Sequence, residues 1–214
     1  TLATSNMSQA ENIARTLVRH DVKATFFMAN EKTVRGDYSL DPSWASYWRA
    51  RVAEGHAFGT HTWDHWYFRS DLPDGKVRYA RGGRARELDA QGVCKELRRV
   101  ETRFRELTGR SLDPIWSAPG GRTTPNTLAA ASACGYRHVH WSPAGNLGDD
   151  LPADKYPNQA LLARALRNLR DGDIMIMHLG IQSRKDPFAP MLDPLLAALK
   201  ERGFCFATLS KTTP

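Results

Sequence analysis

The chain has 214 residues, 41% hydrophobic and 25% charged, and Lys plus Arg outnumber Asp plus Glu by 30 to 23. Values so close to the globular average exclude a disordered chain, a collagen-like repeat and a disulfide-packed miniprotein. No apolar run approaches the roughly 18 residues of a membrane span. The start lacks the basic and apolar stretches of an export leader, so an exported protein is expected to have lost its leader already.

One α/β domain over residues 1–214 is expected, since α/β barrels run to about 200–250 residues as a single unit. The net charge of +7 admits nucleic acid or an anionic surface as a partner. The arginines, however, are interleaved with acids in runs such as RARELDAQGVCKELRRVETRFREL, which reads as a solvated face with i,i+4 pairing. No nucleic-acid motif accompanies the charge, and no nucleic-acid partner is expected. Cys94, Cys134 and Cys205 have no CxxC spacing and are odd in number, so buried free thiols are expected.

In chain order, TLATSN reads as a short strand, and Ser8 with Glu11 as a capping box opening a helix that carries Ile13, Ala14, Leu17 and Val18 on one face. KATFFMAN is a second, buried strand. A helix over 43–54 stops at Gly55, and HAFGTHT is the third strand. A polar loop over 69–83 precedes a long helix carrying Leu88, Leu97, Val100, Phe104 and Leu107 and ending at Gly109. PIWSAP is the fourth strand, and Thr124 with Pro125 opens a helix that stops at Gly135. RHVHWS, DIMIMHL and CFATLS are the fifth to seventh strands, separated by helices near 158–170 and 191–202. Seven strands alternating with six helices predict a parallel sheet, open or closed.

In such folds functional groups gather beyond the C-terminal strand ends. The third strand runs into His61 and His65, whose i,i+4 spacing suits two imidazoles on one helical turn facing a common metal. The fourth runs into Ser117 and the APGG turn, the fifth into Trp141, and the sixth into His178, a candidate acid/base group. Trp63, Trp66, Tyr67 and Phe68 crowd the histidine pair. Trp66 and Trp141 suit either a sugar-facing wall or the core. His20, His56, His138 and His140 read as structural.

Taken in order, these segments resemble the polysaccharide deacetylase family, the NodB-homology domain of carbohydrate esterase family 4. VKATFFMAN resembles its second strand, GTHTWDH its H-[ST]-x-x-H motif, WSAPGG its R-x-P-x-G motif, and DGDIMIMHL its closing motif. The resemblance implies an irregular (β/α)7 barrel. It further implies a divalent metal, most often zinc, on His61 and His65, and a water attacking the N-acetyl group of a GlcNAc-containing polysaccharide of the chitin, peptidoglycan or poly-GlcNAc type. His178 would be the general acid, Gly120 would supply an oxyanion N–H, and Ile176, Trp141 and Ser117 would border the substrate. A periplasmic, cell-envelope or secreted location follows by the same resemblance.

The family's first motif, T-F-D-D-G, aligns without a gap on Thr1–Ser5. Ala3 then occupies the base position and Thr4 that of the metal-binding Asp; alanine has no proton-transfer group and a neutral hydroxyl is a poor zinc ligand. Ser117 replaces the Arg that braces the base, and Ala144 falls where an Asp tunes the acidic histidine. Three readings follow: a deacetylase-type hydrolase in which Ala3 is an inactivating substitution, a glycan-binding pseudoenzyme, or a divergent amidase using Asp64, Asp149 or Asp150. Retention of His61, His65 and His178 favours the hydrolase.

Overall fold

The computed structural model describes residues 1–209. Six helices, α1 (Ala10–Arg19), α2 (Ala45–Ala53), α3 (Ala90–Thr108), α4 (Pro125–Ala133), α5 (Asn158–Asn168) and α6 (Leu192–Glu201), surround a parallel sheet. Its strands are β1 (Leu2–Ala3), β2 (Thr25–Met28), β3 (Ala57–Thr60), β7 (Ile115–Trp116), β8 (Arg137–His138) and β9 (Met177–His178). They run in the order β8-β7-β3-β2-β1-β9.

The ring closes without a regular ladder between its ends. Ser142 N–H donates to Ile174 O at 3.1 Å, Ile176 N–H to Gly145 O at 2.9 Å and Leu147 N–H to Ile176 O at 3.4 Å. The chain after β8 is thereby tied to the chain entering β9, which gives the irregular (β/α)7 barrel. Alternation along β2 sorts the core. Phe26 and Met28 pack outward with Phe58 under the helices, while Phe27 turns inward onto Ile115 and Val139, as expected for strands buried on both faces.

Four segments differ from the sequence-based expectations. The seventh strand expected on CFATLS, whose last residue lies outside the described range, does not form over residues 204–209, which have no strand assignment. Leu209 instead joins the inward-facing cluster of Phe27, Ile115 and Val139, and its N–H donates to Thr25 Oγ1 at 2.9 Å. No Ser8–Glu11 capping box forms, because α1 starts after Gln9 and Ser8 N–H is held by Asn6 Oδ1 at 3.1 Å in a turn through left-handed Met7.

The expected loop over 69–83 is mostly sheet. β4 (Tyr67–Asp71), β5 (Val77–Arg81) and β6 (Arg84–Leu88) form an antiparallel meander, so Leu88 closes a strand and α3 begins two residues later. The alternation had been obscured by arginines on β5 and β6. Val77, Tyr79 and Phe68 supply the buried face, packed against Trp116 and Leu97.

The thiols, expected to be free and buried, are the fourth difference. Cys94 on α3 and Cys134 at the end of α4 form a disulfide with Cα atoms 6.0 Å apart, and Cys205 is free and exposed. One turn of each helix faces the other across the α3–α4 contact, a relationship that spacing along the chain could not express.

Candidate active site

Parallel registry carries the singled-out residues to one end of the barrel. Ala3 lies between Phe27 on β2 and His178 on β9. Thr60, the last residue of β3, pairs with Met28 and Trp116, so His61 and Ser117 leave their strands side by side. Ala3 and Thr4 are completely buried. The Thr4 hydroxyl accepts the Ala29 N–H at 2.8 Å, a bond that stitches β1 to the end of β2.

The histidine pair does not sit on a helical turn. Residues 61–66 form an irregular loop in which Thr62 (φ 64°) and His65 (φ 53°) are left-handed, a conformation that costs a β-branched residue in particular. The two reversals bring the imidazole centroids to 4.8 Å. The meander and α3 hold this loop. Tyr79 Oη lies 2.9 Å from Thr62 Oγ1 and 3.1 Å from Glu96 Oε2, and accepts the Trp66 N–H at 3.1 Å. Glu96 Oε2 also accepts the Asp64 N–H at 3.1 Å.

His61 Nδ1 is 2.6 Å from Ser117 O, which fixes a proton there and leaves Nε2 unengaged. Burial first, and the neighbouring His65 second, hold His61 well below the usual imidazole range. His65 Nδ1 is 3.0 Å from Glu31 Oε1. Arg81 Nη1 approaches the same nitrogen at 3.0 Å but also donates to His65 O at 3.1 Å; a protonated Nδ1 serves Glu31 and leaves Arg81 to the carbonyl. Glu31 is 12% exposed at its side chain, and its Oε2 is buried without a hydrogen-bond partner. Sequence reasoning missed Glu31. Its signal was its position just beyond the end of β2, where the strand-end rule applies as it does to the histidines.

His178 faces this group from β9. Asp149 Oδ2 accepts the His178 N–H at 2.6 Å and Oδ1 lies 3.1 Å from Nδ1. Burial works against the imidazolium, but the Asp149 carboxylate, helped by Asp150 and Glu31, outweighs it and raises the pKa above 6.5. The expected tuning position at Ala144 is thus corrected to Asp149, since the chain turns at Pro143–Gly145 before reaching the β9 flank. Of the other acids considered, Asp64 is tied to Arg86 and Asp150 is exposed.

Gly120 (φ 60°) and Gly121 (φ 66°) form the turn after β7. A Cβ on Gly120 would come within 2.8 Å of the Tyr67 ring, and one on Gly121 within 2.3 Å of His140 and 2.9 Å of Trp141. Tyr67 and half-buried Trp141 therefore flank the turn. Ile176 is buried in the barrel wall, bridged to Asn146. Among the remaining histidines, His138 Nε2 accepts the Ala118 N–H at 3.3 Å and burial lowers its pKa to about 4. It is a neutral brace for the strand before the turn.

A metal can be tested against these donors. Both histidines have Nδ1 anchored and Nε2 free, the orientation that second-shell partners impose on metal ligands. Beyond these two the fit fails. Thr4 is neutral and already hydrogen-bonded, and among the described residues no group of three His, Cys, Asp or Glu side chains could hold an ion.

The polysaccharide deacetylase family model matches residues 5–139, and the chain belongs to that family. It is 26% identical over 198 residues to a peptidoglycan-N-acetylglucosamine deacetylase of Bacillus cereus, covering 91% of this chain and 77% of that protein. It is 28% identical over 194 residues to a 30.6 kDa protein of Geobacillus stearothermophilus, covering 90% of this chain but 61% of that one. The chain thus spans less than two thirds of this relative. A solved family 4 pseudoenzyme from Bacillus anthracis shares the fold at TM-score 0.70 and 18% identity, over 98% of this chain and 63% of that one. A mutant of that pseudoenzyme has restored enzymatic activity.

Proposed function

We propose that the chain recognises N-acetylated envelope polysaccharide through a deacetylase cleft whose water-activating half is missing. The observation that carries this is the pair Ala3 and Thr4. Both are fully buried at the β1 end, beside His178 and β2, and neither offers a carboxylate. Asp149 raises the His178 pKa and engages its Nδ1, which supports His178 as the acid for a leaving amine, and exposed Gly120 is the candidate oxyanion donor of the same reading. Without a base to take a proton from water, the acid has no attack to complete. A positioned base contributes about 10²–10⁴ in rate, so the bound acetamide is expected to survive.

The family's metal would supply a Lewis acid and a more acidic water. With two histidines and no carboxylate at position 3 or 4, and no group of three such side chains able to hold an ion among the described residues, no step is assigned to it. The family and the Cys94–Cys134 bridge together support an oxidising, extracytoplasmic location.

One observation favours a second reading, in which residual hydrolysis is run by a substitute carboxylate: the unpartnered, buried Oε2 of Glu31. Calorimetry with an N-acetylglucosamine hexamer and its de-N-acetylated counterpart, alongside an acetate assay, separates the two. The proposal expects saturable, acetyl-dependent binding without release. Turnover above about 1 s⁻¹, within the usual enzyme range, defeats it, and if Glu31→Gln abolishes that turnover the second reading stands.

A further inference from the structure

Arginines gather around the aromatic rim of the cleft. Tyr67 packs on Gly120, and its ring lies 6.4 Å from that of His65, so it walls the cleft between the histidine loop and the glycine turn. Arg69 sits over this ring at 4.7 Å and Arg122 at 5.9 Å. On the adjacent Trp66, Arg84 lies at 5.4 Å and Arg86 at 4.6 Å. Some of this charge is cancelled: Arg86 is paired with Asp64 and Glu96, and Arg81 approaches Glu31 at 3.7 Å. Arg69, Arg84 and Arg122 are exposed, and among the described residues none makes an ion pair with a carboxylate.

A guanidinium held near an aromatic ring is positioned by that contact, and its planar N–H fork can take a carboxylate through two parallel hydrogen bonds. Three exposed guanidinium groups within about 6 Å of the Tyr67 and Trp66 rings, with no carboxylate paired to them among the described residues, suit a sugar chain that carries acids. A neutral glycan offers these cations no charge to neutralise. We propose that this rim selects an acidic N-acetylated polysaccharide, one in which N-acetylated sugars are joined to carboxylate-bearing sugars. The proposal rests on the glycan-binding reading above and names the substrate class of that same cleft.

The test compares, by calorimetry, an oligosaccharide of alternating N-acetylglucosamine and glucuronate with a neutral N-acetylglucosamine oligomer of equal length. Heparin and duplex DNA serve as polyanion controls. The acidic glycan is expected to bind at least about tenfold more tightly, with a preference that shrinks as salt shortens the screening length. The triple variant Arg69→Gln/Arg84→Gln/Arg122→Gln, all at exposed positions, is expected to erase that preference. Equal affinity for acidic and neutral glycans overturns the inference and spares the glycan-binding reading. Binding to DNA as tight as to the acidic glycan overturns it as well, by reducing the rim to a general polyanion site. Binding to neither glycan sinks both readings, whereas a preference that survives the triple variant removes these three arginines from the explanation.

Discussion

Asp149 holds His178 at two points, its Oδ2 taking the backbone N–H at 2.6 Å while Oδ1 lies 3.1 Å from ring Nδ1. The double grip fixes both the strand end and the imidazole, so the ring can present only Nε2 to the cleft. Histidine titration by NMR is expected to give His178 a pKa above 6.5, and Asp149→Asn is expected to bring it down. Because the folded pKa is the higher one, the pair's contribution to stability is complete below pH 6.5 and is lost as pH rises through the folded value. A stability–pH profile that is unchanged by Asp149→Asn would remove the pair from this role.

Restoring the lost carboxylates tests whether the rest of the cleft is still competent. Ala3→Asp with Thr4→Asp, supplied with zinc, is expected to raise acetate release from an N-acetylglucosamine hexamer by about 10²-fold or more. The double change is needed because Thr4 occupies the third-ligand position and Ala3 that of the base. Burying two acids without an ion should also lower the melting temperature of the apo variant, with added zinc restoring it, a readout independent of turnover. A folded variant that takes up zinc and releases no acetate would locate the defect elsewhere, Ser117 being the next candidate.

Where the information was local, the sequence was legible. The apolar runs of β2 and β3, the Thr124–Pro125 helix start and the order of strand ends all depend on neighbours within a few residues. The structure confirms that start, with Thr124 Oγ1 accepting the Thr127 N–H at 3.2 Å. Apart from the Ser8–Glu11 box, which a local turn through Met7 displaces, what escaped depends mostly on pairs distant in the chain. Glu31 acquires meaning only when β3 lies beside β2 and sets His65 against it. Asp149 replaces Ala144 because the ring closes through hydrogen bonds of irregular spacing, which motif alignment cannot register. The meander was hidden because β6, with Arg84, Arg86 and Glu87, has almost no apolar face of its own and borrows one from Tyr79 and Trp66.

The disulfide makes a prediction of its own. Closing a 40-residue separation between Cys94 and Cys134 is worth about 4 kcal/mol by the chain-entropy estimate. Cys94→Ser/Cys134→Ser is therefore expected to lower the denaturant midpoint clearly while leaving glycan affinity nearly unchanged, since the bridge joins α3 to the end of α4 on the outside of the barrel. Thiol titration of the unfolded protein should find one reactive group, Cys205, before reduction and three after it. Three before reduction would refute the bridge.

The His61–His65 loop depends on a partner outside the family's motifs. Left-handed Thr62 and His65 are unfavourable conformations, each costing on the order of 1–3 kcal/mol, and they persist because Tyr79 Oη and Glu96 bind the loop at Thr62, Asp64 and Trp66. Tyr79→Phe keeps the ring in its packing site and removes only the oxygen, leaving the Trp66 N–H without its acceptor while Glu96 keeps the Asp64 N–H and Arg86. A loss of about 1–3 kcal/mol is expected from the unsatisfied Trp66 N–H. The more telling readout is local: amide exchange should accelerate across residues 61–66 more than in β2 or β3, and glycan affinity should fall with it. Uniform acceleration across the barrel would mean that Tyr79 supports the core alone, and the meander would then lose its role as the clamp of the histidine loop.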